Sequence, residues 1–89
     1  MIKMFVRHEV ADYGKWKKAY DEFDAARRGM GVAGDAVYRA VDNDKDTTAT
    51  HDFESMDKAK AFIESPRLKE VMEAAGVTNQ PTIWFTNPS

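Results

Sequence analysis

Apolar and polar side chains alternate at the start of the chain, where Ile2, Met4, Val6, His8 and Val10 stand against Lys3, Phe5, Arg7 and Glu9. A repeat of two puts successive side chains on opposite faces of an extended backbone, so Ile2 to Val10 predicts a strand. The period then changes. From Asp12, whose carboxylate suits a helix N-cap, large side chains fall at Tyr13, Trp16, Tyr20, Phe23, Arg27 and Met30, drawing one stripe along a helix. Lys15, Lys17, Lys18, Asp21, Glu22 and Asp24 take the wet side, and Gly29 and Gly31 stop the helix by accepting a left-handed backbone. Alternation returns over Ala36 to Val41 and Thr47 to Glu54, two strands joined through the turn-forming run Asp42-Asn43-Asp44-Lys45-Asp46. Ser55 caps a second helix that turns Met56, Ala59, Phe62 and Ile63 inward, and Ser65-Pro66 restarts or kinks it. Leu68, Val71, Met72 and Ala75 continue the apolar side as far as Gly76. Pro81 opens a last strand, Thr82 to Thr86, best placed at a sheet edge, where a missing amide is tolerated.

Strand, helix, two-stranded hairpin, helix, strand is the split βαβ order. It predicts an α+β, ferredoxin-like βαββαβ fold: an antiparallel four-stranded sheet with both helices on one face. Neither sheet face reads as polar, since Ile83 and Phe85 oppose Trp84, and Val37 and Val41 oppose Tyr38. A second copy of the chain is the simplest cover for the face without helices, which predicts a homodimer. Size argues the same way. The 89 residues make one domain, 1–89, and a domain this short buries little more than ~60% of its unfolded surface.

Composition narrows the field. Cysteine is absent, which removes disulfides, thiol nucleophiles and thiolate metal sites and points to a reducing cytoplasm. The net charge of -2, mixed in sign, offers no attraction to nucleic acid or to an anionic membrane. No apolar stretch nears the ~20 residues that span a bilayer, and no cleavable leader pattern precedes the first strand. RNA-recognition modules share this element order, but Thr48-Ala49-Thr50-His51-Asp52-Phe53-Glu54 is acidic and lacks the glycine and paired aromatics their third strand needs. Asp42, Asp44 and Asp46 mimic the opening of a calcium loop, which then fails at Thr47 and Phe53. Two histidines without cysteine make no zinc site, so no metal and no cofactor are expected.

Four segments carry a resemblance: Phe5-Val6-Arg7-His8-Glu9-Val10-Ala11-Asp12-Tyr13 with Trp16; Asp52-Phe53-Glu54-Ser55-Met56-Asp57-Lys58-Ala59-Lys60-Ala61-Phe62; Ser65-Pro66 with Leu68; and Ala75-Gly76-Val77 with Pro81. They resemble small bacterial proteins of the dimeric α+β barrel superfamily, which includes antibiotic biosynthesis monooxygenases, haem-degrading monooxygenases, stress-responsive proteins and members labelled cyclases. The resemblance covers nearly the whole chain and implies a dimeric α+β barrel with a pocket in each protomer between sheet and helices. It also implies losses. The Trp and His that serve haem degradation fall on Phe62 and Met72, so no iron ligand remains there. The strand-three Asn and Trp of the quinone-forming monooxygenases fall on Ala49 and Phe53.

Candidate chemistry rests on few residues. His51 shares a strand side with Ala49 and Phe53, and the resemblance turns it toward the barrel interior, as a general base or as a packed core histidine. His8 lies on the strand that neighbours it in this order, but whether His8 or Arg7 points inward is open from sequence. Arg7 and Arg39 are the arginines within strands, each able to fork two hydrogen bonds to an anionic oxygen. Arg27 and Arg28 read as helix-surface charges. Phe53, Phe62, Trp84 and Tyr38 complete the candidate wall for a small aromatic ligand. The expected function is a small-molecule cavity protein, either a cofactor-free cyclase- or monooxygenase-like enzyme acting on an aromatic or polyketide-like compound, or a non-catalytic ligand-binding or stress-responsive dimer.

Overall fold

The computed structural model of the chain describes residues 1–88. Its elements run β1 (Ile2–Glu9), α1 (Tyr13–Glu22), α2 (Asp24–Gly29), β2 (Gly34–Ala40), β3 (Asn43–Phe53), α3 (Met56–Ile63), α4 (Pro66–Ala74) and β4 (Thr82–Thr86). The strands form one antiparallel sheet in the order β2-β3-β1-β4, so the α+β, ferredoxin-like arrangement read from the sequence is the one the chain adopts. No helix among the described residues is long and apolar enough to cross a membrane.

The boundaries follow local chemistry. Asp12 caps α1 by accepting from the Lys15 N–H at 3.0 Å, and Ser55 caps α3 through the Lys58 N–H at 3.3 Å. The first helical stripe is split at Phe23, whose N–H is shared between the carbonyls of Ala19 and Tyr20, a one-residue tightening between α1 and α2. Gly31 and Gly76 take φ of 100° and 84°, which fits them to end α2 and α4.

The hairpin is tighter than the sequence suggests. Val41 and Asp42 alone form the turn, and Asn43 to Asp46 belong to β3. The cause is β1, which takes up this part of β3 through Glu9 opposite Asp46 and the Val10 N–H to the Lys45 carbonyl at 3.0 Å. On the β2 side the register jumps from Arg39–Thr47 to Ala40–Asn43, so Asp44, Lys45 and Asp46 form a bulge. Val41 therefore stands at an exposed turn rather than in β2.

Register sorts the faces, because residues opposite one another on paired strands project to the same side. Met4 opposes His51 and Phe85, Val6 opposes Ala49 and Ile83, and His8 opposes Thr47; Val37 and Asp35 of β2 oppose Ala49 and His51. This is the helix-covered face. One core cluster joins Met4, Val6 and Phe53 to Val32, Ala59 and Phe62, and a second joins Val10 to Trp16 and Ala75. The other face carries Phe5, Arg7, Tyr38, Thr48, Thr50 and Trp84, with Phe5 and Trp84 stacked at 5.1 Å. Trp84 is 40% exposed there and Tyr38 59%.

Candidate functional site

Sheet and helices do not close completely on each other. They leave a cavity of about 440 Å³. Its floor is Met4, Val6 and His8 of β1, Ala49 and His51 of β3 and Ile83 of β4. Trp16, Tyr20 and Phe23 wall one side together with Arg27 of α2, while Phe62 of α3 and Leu68, Val71 and Met72 of α4 form the other. Asn79, Gln80 and Pro81 stand at the rim, where Asn79 is fixed by accepting from the Glu9 N–H at 2.8 Å.

Most of this lining is apolar. Three charged residues line it, Lys69 and Glu73 of α4, which are exposed, and Arg27, which is only 3% exposed although the sequence reads it as a surface residue. Its place on the stripe, four residues after Phe23, turns it inward, and a buried cation requires partners. Nη2 donates to Asp35 at 3.2 Å and Asp24 at 3.4 Å, Nη1 donates to the Tyr20 carbonyl, and the guanidinium lies 3.6 Å from the centre of the Tyr20 ring. The Tyr20 hydroxyl donates to Asp35 at 2.8 Å. Burial and this bond to a carboxylate push the Tyr20 phenol well above its usual range. Burial pushes Asp35 up, but the Tyr20 hydrogen bond and the Arg27 charge outweigh it, and its carboxyl sits below the usual range. Tyr20 and Arg27, with Asp35 bonded to both, thus make one charge-compensated corner of the cavity.

His51 adjoins that corner. It is 4% exposed, with its ring 6.2 Å from Tyr20 and 5.2 Å from Phe62. Burial, reinforced by the Arg27 charge and opposed by Asp35 and Asp52, lowers its pKa to about 4. At neutral pH it is a neutral imidazole, and its buried Nδ1 has no partner. His8 is equally enclosed, tilted against Trp16 at 5.4 Å, and burial lowers its pKa against the pull of Asp46. Both ring nitrogens of His8 and the hydroxyl of Thr47 opposite it also lack partners.

The cavity therefore gathers His51, His8 and Phe62 from the residues expected by sequence, and adds Arg27 and Tyr20, both bonded to Asp35. The rest lie elsewhere. Phe53 is fully buried beneath Phe62, 5.5 Å away, in the core rather than the cavity wall. Strand parity turns Arg7 to the opposite face, where it forks onto Asp46 at 2.9 and 2.5 Å. Tyr38 and Trp84 share that face for the same reason. Arg39 has the cavity's parity but sits near the end of an edge strand, where it lies exposed over the Tyr13 ring at 4.0 Å. Among the described residues no three potential donors of His, Cys, Asp or Glu come together as a metal site.

No protein-family model and no curated protein sequence matches the chain. Solved structures do. A Bordetella bronchiseptica protein named as an antibiotic biosynthesis monooxygenase superposes with a TM-score of 0.84 at 16% identity, over 99% of this chain and 96% of its own. SnoaB, a cofactor-independent oxygenase from Streptomyces nogalater, gives 0.80 at 13% identity, over 99% and 92%. A Deinococcus radiodurans protein with the same designation as the first gives 0.77 at 10%, over 100% and 93%. At such identities the likeness is one of fold, and it spans both proteins end to end.

Proposed function

From a fold shared with antibiotic biosynthesis monooxygenase-like proteins, we propose that this chain is a small-molecule cavity protein of monooxygenase-like type that works on a flat phenol or enol without a resident cofactor. The observation that carries this is the neutral imidazole of His51 beside the Arg27 corner in a largely apolar cavity of about 440 Å³. An apolar slot with a few convergent polar groups is the usual form of a ligand site. His51 accepts a hydrogen bond from the acidic O–H and takes its proton, and Arg27 supplies positive charge close to the oxyanion that results. Alone, an imidazole with a pKa of about 4 is a weak base. An oxyanion beside it raises that value, so proton transfer and anion binding support one another. The electron-rich anion then reduces O2. A ring CH2 becomes a carbonyl with one oxygen atom of O2, and the other oxygen leaves as water with the two hydrogens.

The weakness of His51 as a base favours a second reading, a non-catalytic ligand-binding or stress-responsive protein using the same cavity. In either case we propose a cytoplasmic homodimer in which a second copy covers the open sheet face with Phe5, Tyr38 and Trp84. Calorimetric titration with 2-naphthol tests the common core. Binding with a Kd in the micromolar range that weakens at least tenfold in His51→Phe is the expected result, and no binding overturns both readings. An oxygen electrode separates them: uptake above the buffer rate with an enolisable aromatic ketone, no flavin or metal added, marks the oxygenase, and binding without uptake marks the second reading.

A further inference from the structure

We infer that the cavity has a second polar pole, built by His8 and Thr47, which takes a neutral hydroxyl or carbonyl oxygen at the far end of the ligand. This rests on the cavity-ligand reading above and extends it to the ligand's shape.

His8 and Thr47 face each other across the β1–β3 ladder, on the side where His8 lines the cavity. They are 4% and 0% exposed, yet Nδ1 and Nε2 of His8 and Oγ1 of Thr47 all lack a hydrogen-bond partner. Buried polar groups are nearly always paired, because an unmade bond forfeits the solvation the group had in water. A mutual bond would satisfy one nitrogen and the hydroxyl and still leave the other nitrogen alone. The pair is therefore completed only by a group from outside the chain. A neutral imidazole and a hydroxyl together offer both donors and acceptors, which suits a ligand oxygen of either kind.

Position sets the ligand's length. His51 is opposite Met4, four residues before His8 on β1, so the two poles are ~13 Å apart along the strands. A hydrogen bond of ~2.8 Å at each end leaves ~7 Å between ligand oxygens when the bonds lie end-on, and up to ~13 Å when they rise from the floor. Val6 and Ala49, opposite one another, supply an apolar floor between the poles, and the small Ala49 leaves headroom for a flat ring system. Two or three fused rings fit this span. The poles are also unequal. Arg27 acts on His51, whereas Arg7, next to His8 along β1, is on the other sheet face and engaged by Asp46. The ligand's acidic oxygen is thereby directed to His51 and its neutral oxygen to His8, which fixes one binding direction.

The test compares 2-naphthol with 2,6-dihydroxynaphthalene, which differ only in the far hydroxyl. The wild-type protein is expected to bind the diol about tenfold more tightly, the worth of one buried hydrogen bond. In Thr47→Val and in His8→Phe the preference for the diol over 2-naphthol should vanish, whatever the affinity of each variant for 2-naphthol itself. The imidazole ¹⁵N resonances of His8 should shift with the diol and not with 2-naphthol, a readout on the wild type that needs neither variant to fold. Equal affinities for the two probes, or a preference that survives both substitutions, overturns the second pole and leaves the cavity reading standing. Failure of both probes to bind overturns the pole together with that reading.

Discussion

At the scale of residues, the ionisation of His51 ties the cavity to stability. Its folded pKa of about 4 lies below the ~6.5 of an unfolded histidine, so between these values the unfolded chain binds more protons than the folded one. The stability it contributes is complete above pH ~6.5 and lost as pH falls to about 4, on the order of 3 kcal/mol, with His8 acting in the same direction. Urea midpoints measured from pH 7 to pH 4 should fall accordingly, and His51→Phe should flatten that slope. A histidine NMR titration with the usual midpoint would show that the site is not enclosed. Arg27→Ala should cost about 3 kcal/mol, because it strands Asp35 in a partly buried setting, and should raise the His51 pKa. Arg28→Ala, half-exposed, should stay within about 0.5 kcal/mol. Sequence gave unequal access to these residues. His51 was legible because Ala49, His51 and Phe53 share a strand side. Arg27 was hidden, since its position on the stripe argued for the inside and its charge for the outside, and only the partners Tyr20 and Asp35 resolve the conflict. The choice between Arg7 and His8 required the β1–β3 register, which no single strand contains.

At the scale of elements, repeat patterns of two and of three to four residues placed every strand and helix, while their ends were decided by partners. The Asp42 to Asp46 run reads as a loop by composition, yet β1 reaches far enough to pair with Asp46 and so extends β3. Phe23 could not be seen as a break, because the stripe continues through it. The two helices of the second half differ in how firmly they are held. Ala59 and Phe62 anchor α3 in the core, whereas α4 has no fully buried residue and contributes Leu68, Val71 and Met72 to the cavity wall. Hydrogen exchange should therefore be faster in α4 than in α3 or β1, and bound 2-naphthol should slow it at least severalfold. Equal protection of α3 and α4 would show that α4 is not the yielding wall. Gly76→Ala, which forces a side chain into a φ of 84°, should cost about 1–2 kcal/mol in thermal or urea unfolding without affecting α3.

At the scale of the whole molecule, the period of two along each strand divides labour between faces: Met4, Val6 and His8 look into the cavity, and Phe5 and Arg7 look out from the same strand. The 10.1 kDa chain should scatter light as a particle of about 20 kDa at micromolar concentration. Trp84→Lys, placing a charge where the indole now stacks on Phe5, should shift it to the monomer, and an unchanged mass would remove the open face from the interface. The same division leaves one tryptophan on each side of the sheet. Trp16 is 4% exposed in the cavity wall and Trp84 is 40% exposed on the outer face. Indole emission depends on the polarity and quenchers around the ring, so the two fluorophores sense different events. In Trp84→Phe, the remaining emission should respond to ligand and not to dilution; in Trp16→Phe, it should respond to dilution and not to ligand. If the cavity takes a ligand and the outer face pairs two copies, as proposed, the two indoles would serve as separate optical channels, one for occupancy and one for assembly, and any coupling between the two events would be directly measurable.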